Sequence, residues 1–470
     1  MKISQVRVRF APSPTGFLHV GGLRTALFNF LFARHHKGKF VLRIEDTDKS
    51  REVAGAVENI TETLKIFKLD FDEGPFFQSQ RLPIYQEHIQ KLIEKGAAYR
   101  CFCSAERIAN LKKQAELAKA PFKYDKYCLK KLQQTGDKFV IRQNIPEEGI
   151  TTFQDLVYGK ITIQNHLLDD GVLIKSDGYP VYNFANVIDD HLMKISHVIR
   201  GEEFISSTSK HILLYEAFGW QTPQLAHLPL LLDKKRQKLS KRAGDVAVKD
   251  YLDKGYLPEA IINFIAFLGW NPKTEQEIFS LEDLVKEFDL EKVNKSGSIF
   301  DLEKLQWFNS YYLKQKSLSD LTDLLRSYLD PKAREYPKKF LQKIAEIERG
   351  RLKTLSEIGE RVGYFFSELK YDPDLLTWKK MSKEEIKLSL EKSKTIISKF
   401  KVQSSKLEIE KTFLTEIGEG DKGAMLWPLR VALTGLQASP GPFEIIEAFM
   451  VLPDGKEKIL KHIHQAIKKL

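Results

Sequence analysis

Between the alternating run "VRVRF" and a stretch with helical spacing, the chain reads "APSPTGFLHVGG", from Ala11 to Gly22. Two prolines, three glycines and one histidine occupy a strand-to-helix turn. Such a turn suits an anion: glycines bring backbone N–H groups close to a ligand, and the following helix presents its positive end. The spacing is neither Gly-x-Gly-x-x-Gly nor the Lys-Ser/Thr ending of a Walker loop, so dinucleotide and P-loop readings fail. Far downstream lies "KLSKR", Lys238 to Arg242, which by itself reads as a solvated basic loop. A third constellation is Cys101-Phe102-Cys103 with Cys128, the only cysteines in the chain. Three thiols suggest tetrahedral zinc, but a closed structural site needs four ligands. Three buried, idle thiols are the alternative.

The elements that must position these groups follow from periodicity. "VRVRF" reads as a strand, and Leu23, Leu27, Phe30 and Leu31 recur at helical spacing until Gly38 stops them. "KFVLRIEDTD" is a second strand ending in carboxylates, followed by the amphipathic helices "AVENITETLKIFKL" and "LPIYQEHIQKLIEKG". This β-α-β order implies a parallel sheet, with ligands at the carboxyl ends of its strands. From about Tyr99 to Gly178 a Cys-containing segment, a Lys-rich helix and the short strands "KFVIRQN", "GKITIQN" and "GVLIKSDG" read as an inserted α+β module. The α/β pattern resumes through "VYNFANVIDDHLMKISHVIRGEE", a helix over "STSKHILLYEAFGW", and "AHLPLLLD". Beyond "KKRQKLSKRAGD" only helices are expected, among them "LPEAIINFIAFLGW", "RLKTLSEIGERVGYFF" and "EKILKHIHQAIKKL".

The bulk composition narrows the class. At 470 residues the chain exceeds one ordinary core, and 42% hydrophobic with 29% charged residues is a globular balance. No window approaches the ~18 apolar residues of a membrane span, and the N-terminus has no secretory pattern, so the cytoplasm is the expected location. Seventy-four Lys and Arg against 63 Asp and Glu give +11, which suits a polyanionic partner. Three cysteines, an odd number, fit a reducing compartment without disulfides.

Taken together, these segments carry a family resemblance. His19-Val20-Gly21-Gly22, preceded by Pro12-Ser13-Pro14-Thr15-Gly16, resembles the nucleotide-binding "HIGH" motif of class I aminoacyl-tRNA synthetases. "KLSKR" stands where that family places "KMSKS". "RFAPSPTGFLHVGG", "VLRIEDTD", "DEGP", "AYRCFC", "YNFANVIDD", "HVIRGEE" and "LSKR" occur in the order typical of bacterial glutamyl-tRNA synthetases, and the resemblance weakens only toward the C-terminus. It implies a Rossmann-type α/β catalytic domain in two halves, 1–98 and 182–237, around an inserted α+β acceptor-stem module at 99–181. A loop and helical stem-contact domain at 238–318 and all-α anticodon-binding subdomains at 319–370 and 371–470 would complete the chain.

The implied activity joins the α-carboxylate of L-glutamate to the α-phosphate of ATP, with Mg²⁺, and passes the glutamyl group to the 3′ end of tRNA(Glu). No protein nucleophile is required, so catalysis is positioning and charge stabilisation. His19 would donate to phosphate oxygens, Gly21 would leave room for the adenine, and Lys241, assisted by Lys238, would meet the departing pyrophosphate. Pro12, Ser13, Thr15, Gly16, Gly22, Glu202, Leu239 and Ser240 complete the implied ATP contacts; Gly22 stands where many relatives have a second His. A γ-carboxylate calls for a guanidinium, whose planar fork matches two oxygens. The resemblance assigns Arg9 and Arg200 to carboxylate binding, Glu45 to the substrate ammonium, and Ala11, Ser13, Tyr182 and Asn186 to the pocket wall. Taken singly, Arg9 and Arg200 would instead be ion-pair partners of Glu45, Asp46, Glu202 or Glu203. Some relatives place a His two residues after the third Cys, and here that position is Lys130; others have a Tyr at the offset of Tyr124, so the resemblance implies Tyr124 as the fourth zinc ligand beside Cys101, Cys103 and Cys128. Arg351 is the implied reader of the last anticodon base, and a monomer is expected. Two alternatives stay open: an enzyme that also charges tRNA(Gln), and an inactive tRNA-binding paralogue. A truncated paralogue acting on tRNA(Asp) lacks the C-terminal helices present here.

Overall fold

The computed structural model describes residues 5–131, 136, 138–239 and 247–470, which fall into two compact units. The first unit comprises 1–252 and 258–302. It opens with β1 (Arg7–Phe10), α1 (Val20–His35) and β2 (Lys39–Ile44), then α2 (Ala56–Ile66) and β3 (Glu73–Phe77). These strands form a parallel sheet in the order β1-β2-β3, with Arg9 opposite Val41. Apolar residues crowd α1 on nearly every side, and it is accordingly a core helix, buried from Leu23 to Ala33 except at Thr25. It stops as predicted, although the left-handed residue is Lys37 at φ 50° rather than Gly38. Gly38 is needed for proximity, because a Cβ there would lie 2.3 Å from the Val6 carbonyl oxygen.

After α3 (Leu82–Glu94), the strands β4 (Ala98–Cys101), β5 (Val140–Gln143) and β8 (Val172–Ile174) form an antiparallel sheet in the order β4-β5-β8. The segment between β4 and β5 carries α4 (Ala105–Leu117) and the single turn α5 (Tyr127–Lys130). The hairpin of β6 (Ile150–Asp155) and β7 (Gly159–Gln164) leaves this small sheet. It joins the resumed α/β pattern, α6 (Tyr182–Leu192), β9 (His197–Gly201), α7 (Ile205–Phe218) and β10 (Gln224–Leu228), in a sheet ordered β7-β6-β10-β9. The inserted stretch is therefore woven into this second sheet at Asp155, which sits opposite Leu225. The halves meet beside β1, where the backbone N–H of Ser196 donates to the Arg7 carbonyl at 2.9 Å.

Two sequence expectations need correction. A short strand exists beyond the basic loop: Ser298–Ile299 pairs in parallel with Leu231–Leu232. "RLKTLSEIGERVGYFF" is not one helix but three short turns, Leu355–Glu357, Ile358–Val362 and Gly363–Phe365. Two glycines within five residues weaken helix propagation enough to break it. The second unit, 253–257 and 303–470, is otherwise helical as expected. The helix Lys383–Ser398 begins with a capping box between Ser382 and Glu385. The stretches 319–370 and 371–470 share an aromatic core, with the Phe365 ring edge-to-face with Phe340 at 5.4 Å and tilted against Phe449 at 4.8 Å. Among the described residues, no helix is long and apolar enough to cross a membrane.

Candidate active site

The carboxyl ends of β1, β2 and β9 open onto a cavity of about 660 Å³. Its wall includes Arg9, Ala11, Pro12, Ser13, Thr15, Gly16, His19, Gly21, Gly22, Glu45, Tyr182, Arg200, Lys238 and Leu239. Fourteen expected residues, from five separate segments, thus converge on one space. The first turn is held from outside: Glu45 N–H donates to the Pro12 carbonyl at 3.0 Å, Val53 N–H to the Pro14 carbonyl at 2.9 Å, and Leu18 N–H to Asn59 Oδ1 at 2.8 Å. His19 is the N-cap of α1, and its Nδ1 accepts from Gly21 N–H at 2.9 Å. That bond puts the ring proton of the neutral form on Nε2. Gly21 permits it, because a Cβ at this position would crowd His19 Nδ1 to 3.2 Å. The N-terminus of α1 and its cap therefore face the cavity as hydrogen-bond donors.

The basic loop is anchored at both ends beside this turn. Leu239 N–H donates to the Leu231 carbonyl at 2.8 Å, and Val248 N–H to the Leu18 carbonyl at 2.9 Å. Ser240 and Lys241 lie outside the described residues.

Two expected residues are elsewhere. Asn186 is buried in α6, off the cavity wall, and its Nδ2 has no protein acceptor. Glu202 turns its carboxylate to the Tyr158 hydroxyl, and its neighbour Glu203 lines the cavity instead.

The two arginines have contrasting surroundings. Arg9 is buried, and its Nε donates to Asp190 at 3.1 Å. Arg43, fully buried on the central strand β2, reaches the same Asp190 at 2.7 Å and Glu45 at 3.1 Å. Burial pushes Asp190 upward, but Arg9 and Arg43 outweigh it and hold the carboxyl below its usual range. For Glu45 burial wins over Arg43 and Arg9, and its affinity for a proton rises. A carboxylate desolvated in this way gains from a substrate cation. Asp189, adjacent in α6, takes Gln78, Arg81 and Tyr85 at 2.8 Å each. Arg43, Asp189 and Asp190 were not singled out from the sequence, where they are merely a strand residue and an Asp-Asp pair.

Arg200, buried at the end of β9, has no carboxylate partner among the described residues. Nη1 donates to the Tyr182 hydroxyl at 3.0 Å, Nη2 to Thr208 Oγ1 at 2.9 Å and His211 Nδ1 at 3.2 Å, and Nε to His227 Nε2 at 3.1 Å. Four of the five N–H groups of a guanidinium are thus engaged by neutral acceptors, and its charge is uncompensated. Burial and Arg200 drive the His211 proton affinity well down, and burial lowers that of His227, so both rings stay neutral. The ion-pair reading of Arg200 fails on this geometry; for Arg9 the pair exists, but with Asp190.

Away from the cavity, the cysteines converge. The sulfurs of Cys101, Cys103 and Cys128 lie within 4.8 Å of one another. The Tyr124 hydroxyl is 3.3 Å from Cys101 Sγ and 3.2 Å from Cys103 Sγ. Tetrahedral bonds of ~2.3 Å span edges of ~3.8 Å, so this donor set fits a zinc ion after small adjustments. In the second unit Arg351 is partly exposed, its Nε 3.6 Å from the buried Glu348 carboxylate.

Residues 5–307 match the family model described as "tRNA synthetases class I (E and Q), catalytic domain". The chain belongs to this family. Residues 320–467 of the synthetase match "Anticodon binding domain". The synthetase is 45% identical to a glutamate--tRNA ligase of Clostridium tetani, over 100% of this chain and 99% of the relative. It is 46% identical to one from Clostridium kluyveri at the same coverage. Among solved structures, a glutamate tRNA ligase from Elizabethkingia meningosepticum in complex with its amino acid superposes with a TM-score of 0.87, at 34% identity, covering 99% of this chain and 100% of that one. The expected architecture, a parallel-sheet catalytic domain followed by helices, holds.

Proposed function

We propose that this synthetase is a glutamate--tRNA ligase that activates L-glutamate with ATP and transfers it to tRNA(Glu). The observation that carries the reading is Arg200, a buried, uncompensated guanidinium on the wall of the cavity that also receives the α1 N-terminus. An enzyme for a neutral amide would have no use for that charge; a γ-carboxylate satisfies it. Arg9 is the second carboxylate-binding residue, and Glu45 receives the substrate ammonium. Ala11, Ser13 and Tyr182 shape the pocket. His19 Nε2–H and the α1 N–H groups take the phosphate oxygens of ATP, whose Mg²⁺ supplies further positive charge. Lys238, with Ser240 and Lys241 beyond the described residues, meets the pyrophosphate. Cys101, Cys103, Cys128 and Tyr124 would hold a structural zinc. The cytoplasm is the compartment and the monomer the working form.

The test is aminoacylation with labelled glutamate and ATP on purified tRNA(Glu), tRNA(Gln) and tRNA(Asp). Charging of tRNA(Glu) alone supports a strict enzyme with Arg351 as its anticodon reader; charging of tRNA(Gln) as well removes that role. Label on tRNA(Asp) alone, or on none, overturns the proposal.

Two further outcomes are expected. Glutamate affinity stays flat as pH falls from 8 to about 6 and weakens only below the ordinary histidine range near ~6.5. The sign follows from lowered proton affinities: neutral His211 and His227 accept from Arg200, and protonation at low pH turns each acceptor into a donor. A decline centred near neutrality in isothermal titration would contradict it. Purified protein carries one zinc by mass spectrometry; Cys103→Ser loses it, and Tyr124→Phe binds it at least about tenfold more weakly, the loss typical even of a supporting partner.

A further inference from the structure

We infer that Asp155 and His227 form a positioning relay for Arg200, in which the carboxylate fixes the imidazole tautomer and the imidazole fixes the guanidinium. The inference rests on the reading of Arg200 as the partner of the substrate's side-chain carboxylate. Neither Asp155 nor His227 belongs to the cavity wall, and both side chains are wholly buried. Asp155 therefore reaches the substrate only through its neighbours.

The hydrogen-bond directions leave one assignment. Arg200 Nε can only donate, so His227 Nε2, 3.1 Å away, must accept and carry no proton; the Thr208 hydroxyl, 3.2 Å from the same nitrogen, can donate to it as well. The ring proton then sits on Nδ1 and points at Asp155 Oδ2, 2.6 Å away. Every other partner of Asp155 is also a donor. Val157 N–H and Tyr158 N–H reach Oδ1 at 2.9 and 2.8 Å, and His227 N–H reaches Oδ2 at 3.1 Å. Four donors demand a group that only accepts, which is an ionised carboxylate. His211 repeats the device on the other side: its Nδ1 accepts from Arg200 at 3.2 Å, and its Nε2–H faces Asn183 Oδ1 at 2.9 Å.

The arrangement explains why imidazoles rather than carboxylates hold Arg200. A carboxylate in direct contact would fix the guanidinium but cancel the charge that the cavity needs. A neutral imidazole fixes it and leaves the charge to the ligand, with the anion held one ring farther away. Asp155 comes from the hairpin of the inserted stretch, whereas His227 and Arg200 sit on adjacent strands, opposite one another in register with Gly201 beside Leu228.

Asp155→Asn isolates the effect. An amide oriented to accept from Val157 and Tyr158 N–H presents its NH2 to His227, which forces the ring proton onto Nε2 and sets it against Arg200. The KM for glutamate then rises about ten- to a hundredfold, as for a buried donor left facing a donor, while the KM for ATP changes less than about twofold. His227→Gln keeps an acceptor near the Nε2 position without a tautomer to set. It is expected to raise the glutamate KM less than Asp155→Asn does, and Asp155→Asn added to it has little further effect on glutamate KM. Nitrogen-15 NMR of histidine-labelled protein reads the tautomer directly: Nδ1–H in the wild type, Nε2–H in Asp155→Asn. A wild-type His227 protonated on Nε2, or equal glutamate KM increases for Asp155→Asn with and without His227→Gln, overturns the relay. If Asp155→Asn does not fold, His227→Leu against His227→Gln decides: a glutamate KM raised clearly more by Leu than by Gln supports the relay, and equal values overturn it. A wild type with the Nδ1–H tautomer that does not charge glutamate overturns the substrate reading and not the relay.

Discussion

Replacing Arg200 with Gln is expected to weaken glutamate binding by about 2–5 kcal/mol, a loss of roughly 30- to several-thousand-fold, with ATP binding unchanged. The size follows from three features of the site. The guanidinium is buried, so its attraction for an anion is not screened by bulk water. Its protein partners are all neutral, so no internal ion pair competes with the ligand. Its fork is already oriented before a ligand arrives, which reduces the ordering cost of binding. Titration calorimetry with glutamate, and separately with ATP, checks both halves of the expectation. Unchanged glutamate affinity would make Arg200 a structural strut between β9, α6 and α7. A parallel loss of ATP affinity would mean that the cavity itself had deformed.

Asp190→Asn is expected to lower the unfolding free energy by about 3–5 kcal/mol, because it removes one partner from a buried charge network. Arg9 and the fully buried Arg43 would lose the negative charge that offsets both guanidiniums, even where an amide oxygen still accepts from them as Asp190 Oδ1 does at 3.1 and 2.7 Å. Glu45 and Asp189 cannot replace Asp190: Glu45 is the group assigned to the substrate ammonium, and Asp189 stands 3.9 Å from Arg43 Nε with three other donors to serve. Urea unfolding with an unchanged slope would report the loss as stability alone. Because Arg9 is unmoored as well, glutamate affinity should fall in the folded fraction. A variant as stable as the parent would show that the two arginines find their counter-charge elsewhere.

Much of this site was legible in the sequence because its parts are local. The glycine turn, the carboxylates ending β2 and the basic loop each lie within a dozen residues of chain, and their order identifies the whole. The three cysteines of the zinc-type cluster could be read from the sequence, whereas Tyr124, whose hydroxyl lies beside two of the sulfurs, was named only through the family resemblance. What escaped was the support built from single residues far apart. Arg43 looks like any strand residue until β2 proves to be central and buried. Thr208 and His211 share a helix face, but nothing local says that the face meets Arg200. His227 and Asp155 are 72 positions apart and joined only by strand pairing. Glu202 and Asn186 show the opposite limit: a motif brings the right segment to the cavity, and side-chain direction within it is decided by packing. The broken helix at 355–365 was misjudged because its apolar spacing suits a helix, whereas its glycines and neighbouring core favour short turns.

The pairing of Asp155 with Leu225 also constrains how such proteins can be recombined. Strand faces alternate with a period of two, so a shift of one residue would turn Asp155 to the opposite side of the sheet. The inserted stretch can therefore change length between β4 and β5 without consequence for the amino-acid pocket, but not along the hairpin of residues 150–164. A chimaera that exchanges the insert between relatives should place its junctions outside that hairpin. Junctions within it would exchange the inserted module and lose amino-acid selectivity in the same cut.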